Sequence, residues 1–184
     1  MLIIVQKKYR IVNAENEETL TKQYNDKVSV VAADVEGMNF AYWERDGKAV
    51  SYNKEYSFYV SAATTIKAVY TAEAVQTPDV VVTLATPAVV AGNKLAYYAE
   101  RNINPALKVV ETGILLNQTA DFDINTAQIK AVAKQTTHQG QFTVRKANVT
   151  SDQTWYGKAY VIYKDANGAT QFVYSEMVGP STVE

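Results

Sequence analysis

The run Asp121-Phe122-Asp123-Ile124-Asn125 comes close to a known chemical motif, because it opens like a calcium-binding loop. Such a loop needs a glycine at its sixth position for a sharp turn and a glutamate at its twelfth as a bidentate ligand. Here those positions hold Thr126 and Val132. We therefore expect a solvated loop and predict no metal, while a looser calcium site that combines Asp121, Asp123 and a distant carboxylate stays open.

Residues that could carry out catalysis are few in this sequence. The single histidine, His138, lies in the polar, turn-like stretch 135–140, and no serine occupies a Gly-x-Ser-x-Gly elbow. The eight glycines are scattered singly, so the sequence has no phosphate-cradling loop and no dinucleotide fingerprint. A pair of carboxylates for glycoside hydrolysis depends on distance in space and stays open. We predict a protein that is not an enzyme, with no catalytic residue and no cofactor.

Composition excludes several other classes of protein. The 184 residues include no cysteine, which excludes disulfide scaffolds, cysteine-based zinc sites and thiol nucleophiles. The 18 basic and 19 acidic side chains give a formal net charge of -1, so we predict no nucleic-acid partner. No apolar run approaches the roughly 18 residues of a spanning helix, so we predict no membrane insertion.

The apolar opening Met1-Leu2-Ile3-Ile4-Val5 is shorter than the core of a secretory signal and lacks a positive leader. Three interpretations follow: the sequence is an excerpt of a longer exported protein, a protein assembled inside a cell, or a chain whose signal has been removed. The initiator Met before the first strand favours the first two.

The sequence is rich in aromatic side chains, with 13 tyrosines and two tryptophans. We expect Trp43 and Trp155 to lie in hydrophobic cores, one in each half of the chain. Tyr156 or Tyr160 would take the tyrosine-corner position at the edge of a β-sandwich.

A second interpretation makes some tyrosines an exposed platform on which a sugar or a protein partner stacks. Tyr59 is the leading candidate, because alternation places it on the strand face opposite Tyr56 and Phe58. The full set of candidates is Tyr42, Tyr52, Tyr59, Tyr97 and Tyr98.

Alternation with a period of two dominates the chain and predicts β-strands. In residues 55–60, for example, Tyr56, Phe58 and Val60 share one face. The same pattern places together Val28, Val30 and Ala32; Ile66, Ala68 and Tyr70; Val80, Val82 and Leu84; and Phe142 and Val144. These segments are short and rich in the β-branched and aromatic residues that suit a pleated surface.

Two dipeptides predict β-hairpins with two-residue type I′ turns, because they supply positive φ at low cost. They are Asp46-Gly47, between strands at 40–45 and 48–52, and Asn167-Gly168, between strands at 158–164 and 169–174. A short helix is predicted near residues 126–134 with Asp123 or Asn125 as its cap, although its apolar spacing fits a strand almost as well. The predicted fold class is all-β.

A domain boundary is predicted within residues 71–79, which are small and polar and contain the first proline, Pro78. Proline lacks an amide donor and restricts the preceding residue, so a strand tends to end there. We expect a first domain at 1–72, a linker at 73–79 and a second domain at 80–184.

The first half resembles the B-repeat of internalin-type and related Gram-positive surface proteins. The resemblance lies in the segment 24–30, in the Gly-x-x-Phe-x-x-Trp element at 37–43, and in the closing strands at 56–60 and 64–70. It implies a small β-grasp-like sheet domain that serves as a spacer or adhesive module.

The second half resembles the immunoglobulin or fibronectin type III sandwiches that follow such repeats in Firmicutes surface proteins. The segments that carry this resemblance are 109–116, 154–163 with its Asn-Gly hairpin, and 172–175. It implies a β-sandwich for residues 80–184.

These observations predict a non-catalytic structural or adhesive module of a bacterial cell-surface protein, located outside the cell, with a protein or surface glycan as its partner. The alternative is a phage virion component with an immunoglobulin-like domain, such as a decoration, fibre or tail protein, which would self-associate. A lesser alternative is a carbohydrate-binding module. The neighbours and true length of the encoding gene would separate the first two.

Overall fold

The computed structural model describes residues 6–23, 26–45, 47–60, 63–75, 77–90 and 92–183. Within these ranges the chain forms sixteen β-strands and no helix, which confirms the all-β prediction. No helix in the described ranges is therefore long and apolar enough to cross a membrane. The chain divides into two compact units between Pro78 and Asp79.

The first unit contains seven strands in two sheets. They are β1 (Gln6–Asn13), β2 (Asn16–Gln23), β3 (Lys27–Val31), β4 (Asn39–Arg45), β5 (Lys48–Ser51), β6 (Glu55–Tyr59) and β7 (Thr64–Thr71). Five of them form a mixed sheet in the order β2-β1-β7-β4-β5, and β3 pairs with β6 in a separate two-stranded sheet. The strands β1 and β7 pair in parallel at the centre of the mixed sheet.

In the first unit, the side chains that are buried follow the predicted alternation. Tyr56 and Phe58 on β6 and Val60 directly after it are buried, as expected, and belong with Ile66 to one hydrophobic cluster. Trp43 is fully buried in the same cluster, and its Nε1–H donates a hydrogen bond of 3.1 Å to the Lys54 carbonyl. The prediction that Trp43 lies in the core is thus confirmed.

The second unit contains nine strands in two sheets that form a sandwich. They are β8 (Val80–Leu84), β9 (Ala88–Val90), β10 (Lys94–Ile103), β11 (Lys108–Asn117), β12 (Ile129–Val132), β13 (Gln139–Lys146), β14 (Trp155–Lys164), β15 (Thr170–Tyr174) and β16 (Val178–Ser181). One sheet has the order β13-β10-β8, with β9 also on β10. The other has the order β12-β11-β14-β15, with β16 also on β14.

The inner faces of these two sheets supply the core of the second unit. Trp155 is buried there, as predicted, with Leu95 and Tyr97 from one sheet and Ile114 from the other. A second cluster lies on the opposite face of β11 and β14, where Phe122 packs against Leu115 and Tyr160. Both faces of β11 and β14 are therefore covered by apolar side chains.

A close approach of Tyr160 to the neighbouring strand requires a glycine at position 113. A Cβ atom on Gly113 would lie 2.6 Å from the Tyr160 hydroxyl and 2.4 Å from the Ala131 carbonyl oxygen, closer than carbon can approach either. Gly113 and Tyr160 are direct cross-strand partners. The glycine thus lets the tyrosine ring lie across β11.

The hairpin between β14 and β15 is confirmed, but its predicted two-residue type I′ turn is wrong. The turn runs from Asp165 to Gly168, with a hydrogen bond of 2.9 Å from the Gly168 N–H to the Asp165 carbonyl. Gly168 has a φ of +79°, whereas Asn167 does not have positive φ. The Asp165 carboxylate accepts hydrogen bonds from the Asn167 and Ala169 amides, which stabilises the longer turn.

The hairpin between β4 and β5 also forms, with Arg45 opposite Lys48 and Gly47 at a φ of +77°. Asp46, the other residue of this predicted turn, lies outside the described residues.

The helix predicted near residues 126–134 is wrong. Asp123 does act as a cap, since its Oδ1 accepts hydrogen bonds of 2.8 and 3.0 Å from the Asn125 and Thr126 amides. It caps one turn only, and the chain then enters β12, which pairs with β11. The hydrogen-bond ladder offered by β11 is a tertiary feature that the local spacing of apolar residues does not reveal.

Candidate functional site

Tyr42 and Tyr52 form an aromatic pair in the first unit. Tyr42 lies on β4 between the buried residues Ala41 and Trp43, and Tyr52 follows β5 directly. The ring centroids are 5.9 Å apart and the rings are inclined by 56°, a favourable tilted geometry. Both side chains are half-buried. The pair therefore offers an apolar surface with polar tips, which suits stacking against a sugar ring or a protein side chain.

Tyr59 lies apart from this pair, in the two-stranded sheet of β3 and β6. It is half-buried, and it faces away from the buried side chains of Tyr56 and Phe58, in the orientation that alternation predicts. The structure thus brings Tyr42 and Tyr52 into contact and places Tyr59 on another sheet.

The remaining two platform candidates, Tyr97 and Tyr98, are consecutive residues of β10. Tyr97 is fully buried in the core of the second unit, so its prediction as part of an exposed platform is wrong. Its hydroxyl has no hydrogen-bond partner among the described residues, and burial raises its pKa above the usual range for tyrosine. Tyr98 is half-buried.

Tyr160 does not make a tyrosine corner, because its hydroxyl bonds to a side chain and not to the backbone. It donates a hydrogen bond of 2.8 Å to Glu111 Oε1. Lys130 Nζ lies 2.7 Å from the same oxygen and 5.8 Å from the centroid of the Tyr160 ring. The hydrogen bond from Lys130 lowers the pKa of Glu111 below its usual range, and burial raises the pKa of Tyr160. Tyr156 packs against the cluster that contains Phe122.

His138 and Asp123 hold the loops of the second unit. His138 Nε2 forms a hydrogen bond of 2.8 Å with the Leu107 carbonyl, and the His138 carbonyl accepts from the Ile103 amide. Asp123 binds the amides of its own turn, and these backbone hydrogen bonds lower the pKa of its carboxyl group. In the part of the chain that the structure describes, no group of three or more histidine or acidic side chains could hold a metal ion.

A buried arginine that sequence reasoning missed lies inside the sandwich. Arg101 is 3% exposed and sits on the core-facing side of β10, between Ala99 and Ile103. Its Nη1 donates to the Thr112 hydroxyl, and its Nη2 donates to the Thr137 hydroxyl at 2.5 Å. Its Nε–H has no acceptor among the described residues, and burial lowers its pKa.

This guanidinium lines a groove of about 390 Å³ between the edge strands of the two sheets. One wall comes from residues 132–135, at the end of β12, and the other from residues 141–144 of β13. One sequence signal could have found Arg101. If residues 94–103 are taken as a strand, Arg101 falls on the inward face as a charged residue in line with Leu95, Tyr97, Ala99 and Ile103.

Comparisons with known proteins give little further information. No family model matches the chain, and no curated protein matches it. One solved structure, described as a DUF3823 family protein from Bacteroides ovatus, is 12% identical and covers 93% of this chain and 98% of its own. Its TM-score of 0.32 is too low to support an argument about fold or function.

Proposed function

We propose that this chain is a non-catalytic spacer and attachment module of a bacterial cell-surface protein. The sequence resemblance to Gram-positive surface repeats suggests that setting. The observation that carries the proposal is mechanical: the first and last strands of the first unit pair in parallel at the centre of its sheet.

Parallel pairing of β1 and β7 suits a unit that transmits force along a stalk. The register runs from Tyr9 opposite Thr64 to Val12 opposite Lys67, so the start of β1 and the end of β7 lie at opposite ends of the pair. A pull on the two ends of the unit therefore slides one strand along the other. All the hydrogen bonds between them are then strained together and do not open one at a time.

The core strengthens this arrangement. Ile11 on β1 lies directly opposite Ile66 on β7, and both side chains are buried in the hydrophobic cluster around Trp43. Sliding the strands would expose these side chains to water, at a cost of about 1.5–3 kcal/mol for each. The second neighbour of β7 is β4, so the strand is held on both sides.

The side chains that could do chemistry also support a structural role. The ring of His138 fastens a loop through the Leu107 carbonyl, and Asp123 closes its own turn. Both side chains thus have a structural task in the folded chain.

Measuring the unfolding force in two pulling directions tests the mechanical part of the proposal. The chain has no native cysteine, so two introduced thiols serve as the only handles. The pair Gln6→Cys with Thr71→Cys loads β1 and β7 in shear, whereas Arg10→Cys with Thr65→Cys, at positions directly opposite each other, pulls the same strands apart sideways. We expect the mean unfolding force in single-molecule pulling to be severalfold higher in shear, since forced unfolding follows the barrier along the pulled direction. Equal forces in the two geometries would contradict the spacer role.

Binding by the tyrosines tests the attachment part. We expect the intact chain to bind glycans or proteins of a bacterial cell wall, and Tyr42→Ala or Tyr52→Ala to weaken that binding roughly tenfold, because each removes a stacking surface. Tyr59→Ala measures whether the third tyrosine contributes. Phe172→Ala is the matched control, since it removes an exposed aromatic ring from the second unit. Binding that all three tyrosine variants leave unchanged would remove these residues from the proposal.

The virion alternative is favoured by exposed aromatic side chains on β15. Phe172 is 49% exposed and Tyr174 is 37% exposed, and both point outward from this strand. A virion component assembles symmetrically, and outward aromatic rings are common contacts in such interfaces. Analytical ultracentrifugation would decide: a defined oligomer that Phe172→Ser dissociates supports the virion role, whereas a strict monomer at high concentration supports the spacer.

A further inference from the structure

Arg101 carries a buried positive charge for which the described part of the chain supplies no carboxylate. Among the described residues, only two of its five N–H donors find acceptors, the Thr112 and Thr137 hydroxyls, and the Nε–H finds none. Burying a charge without an anion is costly, so such groups in proteins are paired or bind a ligand. We propose that the groove between β12 and β13 is a binding site in which Arg101 receives the carboxylate of a small organic acid.

The groove is suited to a ligand of this size. Its volume of about 390 Å³ lies within the range of small-molecule sites, roughly 300–1,000 Å³. It opens between two strands, β12 and β13, that are each the outermost in their sheets. Arg101 reaches this opening from the inward face of β10, and the Phe142 ring centroid lies 5.2 Å from its guanidinium carbon. The site therefore has an apolar wall beside its charged group.

The charges that line the groove favour an anion. Lys134 adds a second cation, and Gln135, Gln141 and Thr143 add neutral polar groups. The described residues that line the groove include no aspartate or glutamate. The local field is thus positive although the whole chain carries a formal net charge of -1.

The geometry of the guanidinium suits a carboxylate. Guanidinium is planar and offers parallel N–H groups, which match the two coplanar oxygens of a carboxylate in a bidentate pair. Nη2 donates one hydrogen to Thr137 and retains another, and the Nε–H is unused. A bidentate pair with one carboxylate would use the Nε–H and the remaining Nη2 hydrogen, and it requires the groove to open as far as Nε, which is buried in this structure.

The most direct test observes Arg101 itself in the full chain. The Nε–Hε resonance of Arg101 in an NMR spectrum should shift when sodium glucuronate or sodium acetate is added, and should not shift with sodium chloride at the same ionic strength. The assignment comes from the resonance that is lost in Arg101→Met. No shift with either carboxylate would overturn the proposal.

Stability provides the second measurement. At ten times its dissociation constant, a ligand that binds only the folded chain raises the folding equilibrium constant roughly tenfold. We expect glucuronate to do this for the wild-type chain and not for Arg101→Met, which keeps the volume of the side chain and removes its charge. Lys134→Met should weaken the effect. An unchanged response in Arg101→Met would overturn the proposal.

Arg101→Met also separates a binding role from a structural one. Burying a charge without an anion is costly, and an apolar side chain of similar size avoids that cost, so the variant should unfold at no lower urea concentration than wild type. A marked loss of stability would assign Arg101 to the fold and count against the site. Phosphate or sulfate that shifts the Arg101 resonance as strongly as glucuronate would overturn the carboxylate specificity. The site lies in the second unit, so its failure would leave the attachment role of Tyr42 and Tyr52 intact.

Discussion

Each unit of this protein depends on burying apolar side chains of its sheets in a cluster that contains a tryptophan. With no cysteine in the chain, no disulfide can restrict the unfolded state, so apolar burial must offset the entropy of folding. The need is greatest in the first unit, because a domain of about 80 residues buries a smaller fraction of its surface than a large one. Trp43 is fully buried and Trp155 is 5% exposed, and each lies in its own hydrophobic cluster.

The need to bury apolar side chains also determines where the candidate functional residues lie. Because β4 turns Ala41 and Trp43 inward, it turns Tyr42 toward Tyr52 on the other face. Because β1 and β7 pair in parallel, a force on the two ends of the first unit acts along these strands. In the second unit, the inward position of Arg101 on β10 puts a charge where burial would otherwise select an apolar residue. Because burying that charge is costly, we infer that Arg101 has a role beyond folding.

Local sequence patterns predicted the buried faces of several strands but missed others such as β10, and they failed where a residue's partners lie far away in the sequence. Alternation correctly placed Tyr56, Phe58 and Val60 in a core because a strand fixes which side chains share a face. The helix near residues 126–134 was wrong because β11 supplies a ladder from elsewhere in the sequence. The turn at Asn167 was wrong because the Asp165 carboxylate binds amides up to four residues ahead. The parallel pairing of β1 with β7 and the contacts of Arg101 join segments far apart in sequence, so no local pattern specifies them.

The most direct test of this account uses the two tryptophans as separate reporters of unfolding. In a Trp155→Phe background, Trp43 is the only tryptophan, and Phe58→Ala removes a ring from the cluster that surrounds it. The account predicts that urea unfolding followed by Trp43 fluorescence loses about 3–5 kcal/mol of stability in this variant. In a Trp43→Phe background, Ile114→Ala should lower the stability reported by Trp155 by about 2–5 kcal/mol. A Trp43 transition that Phe58→Ala leaves unchanged would contradict the assignment of the two cores.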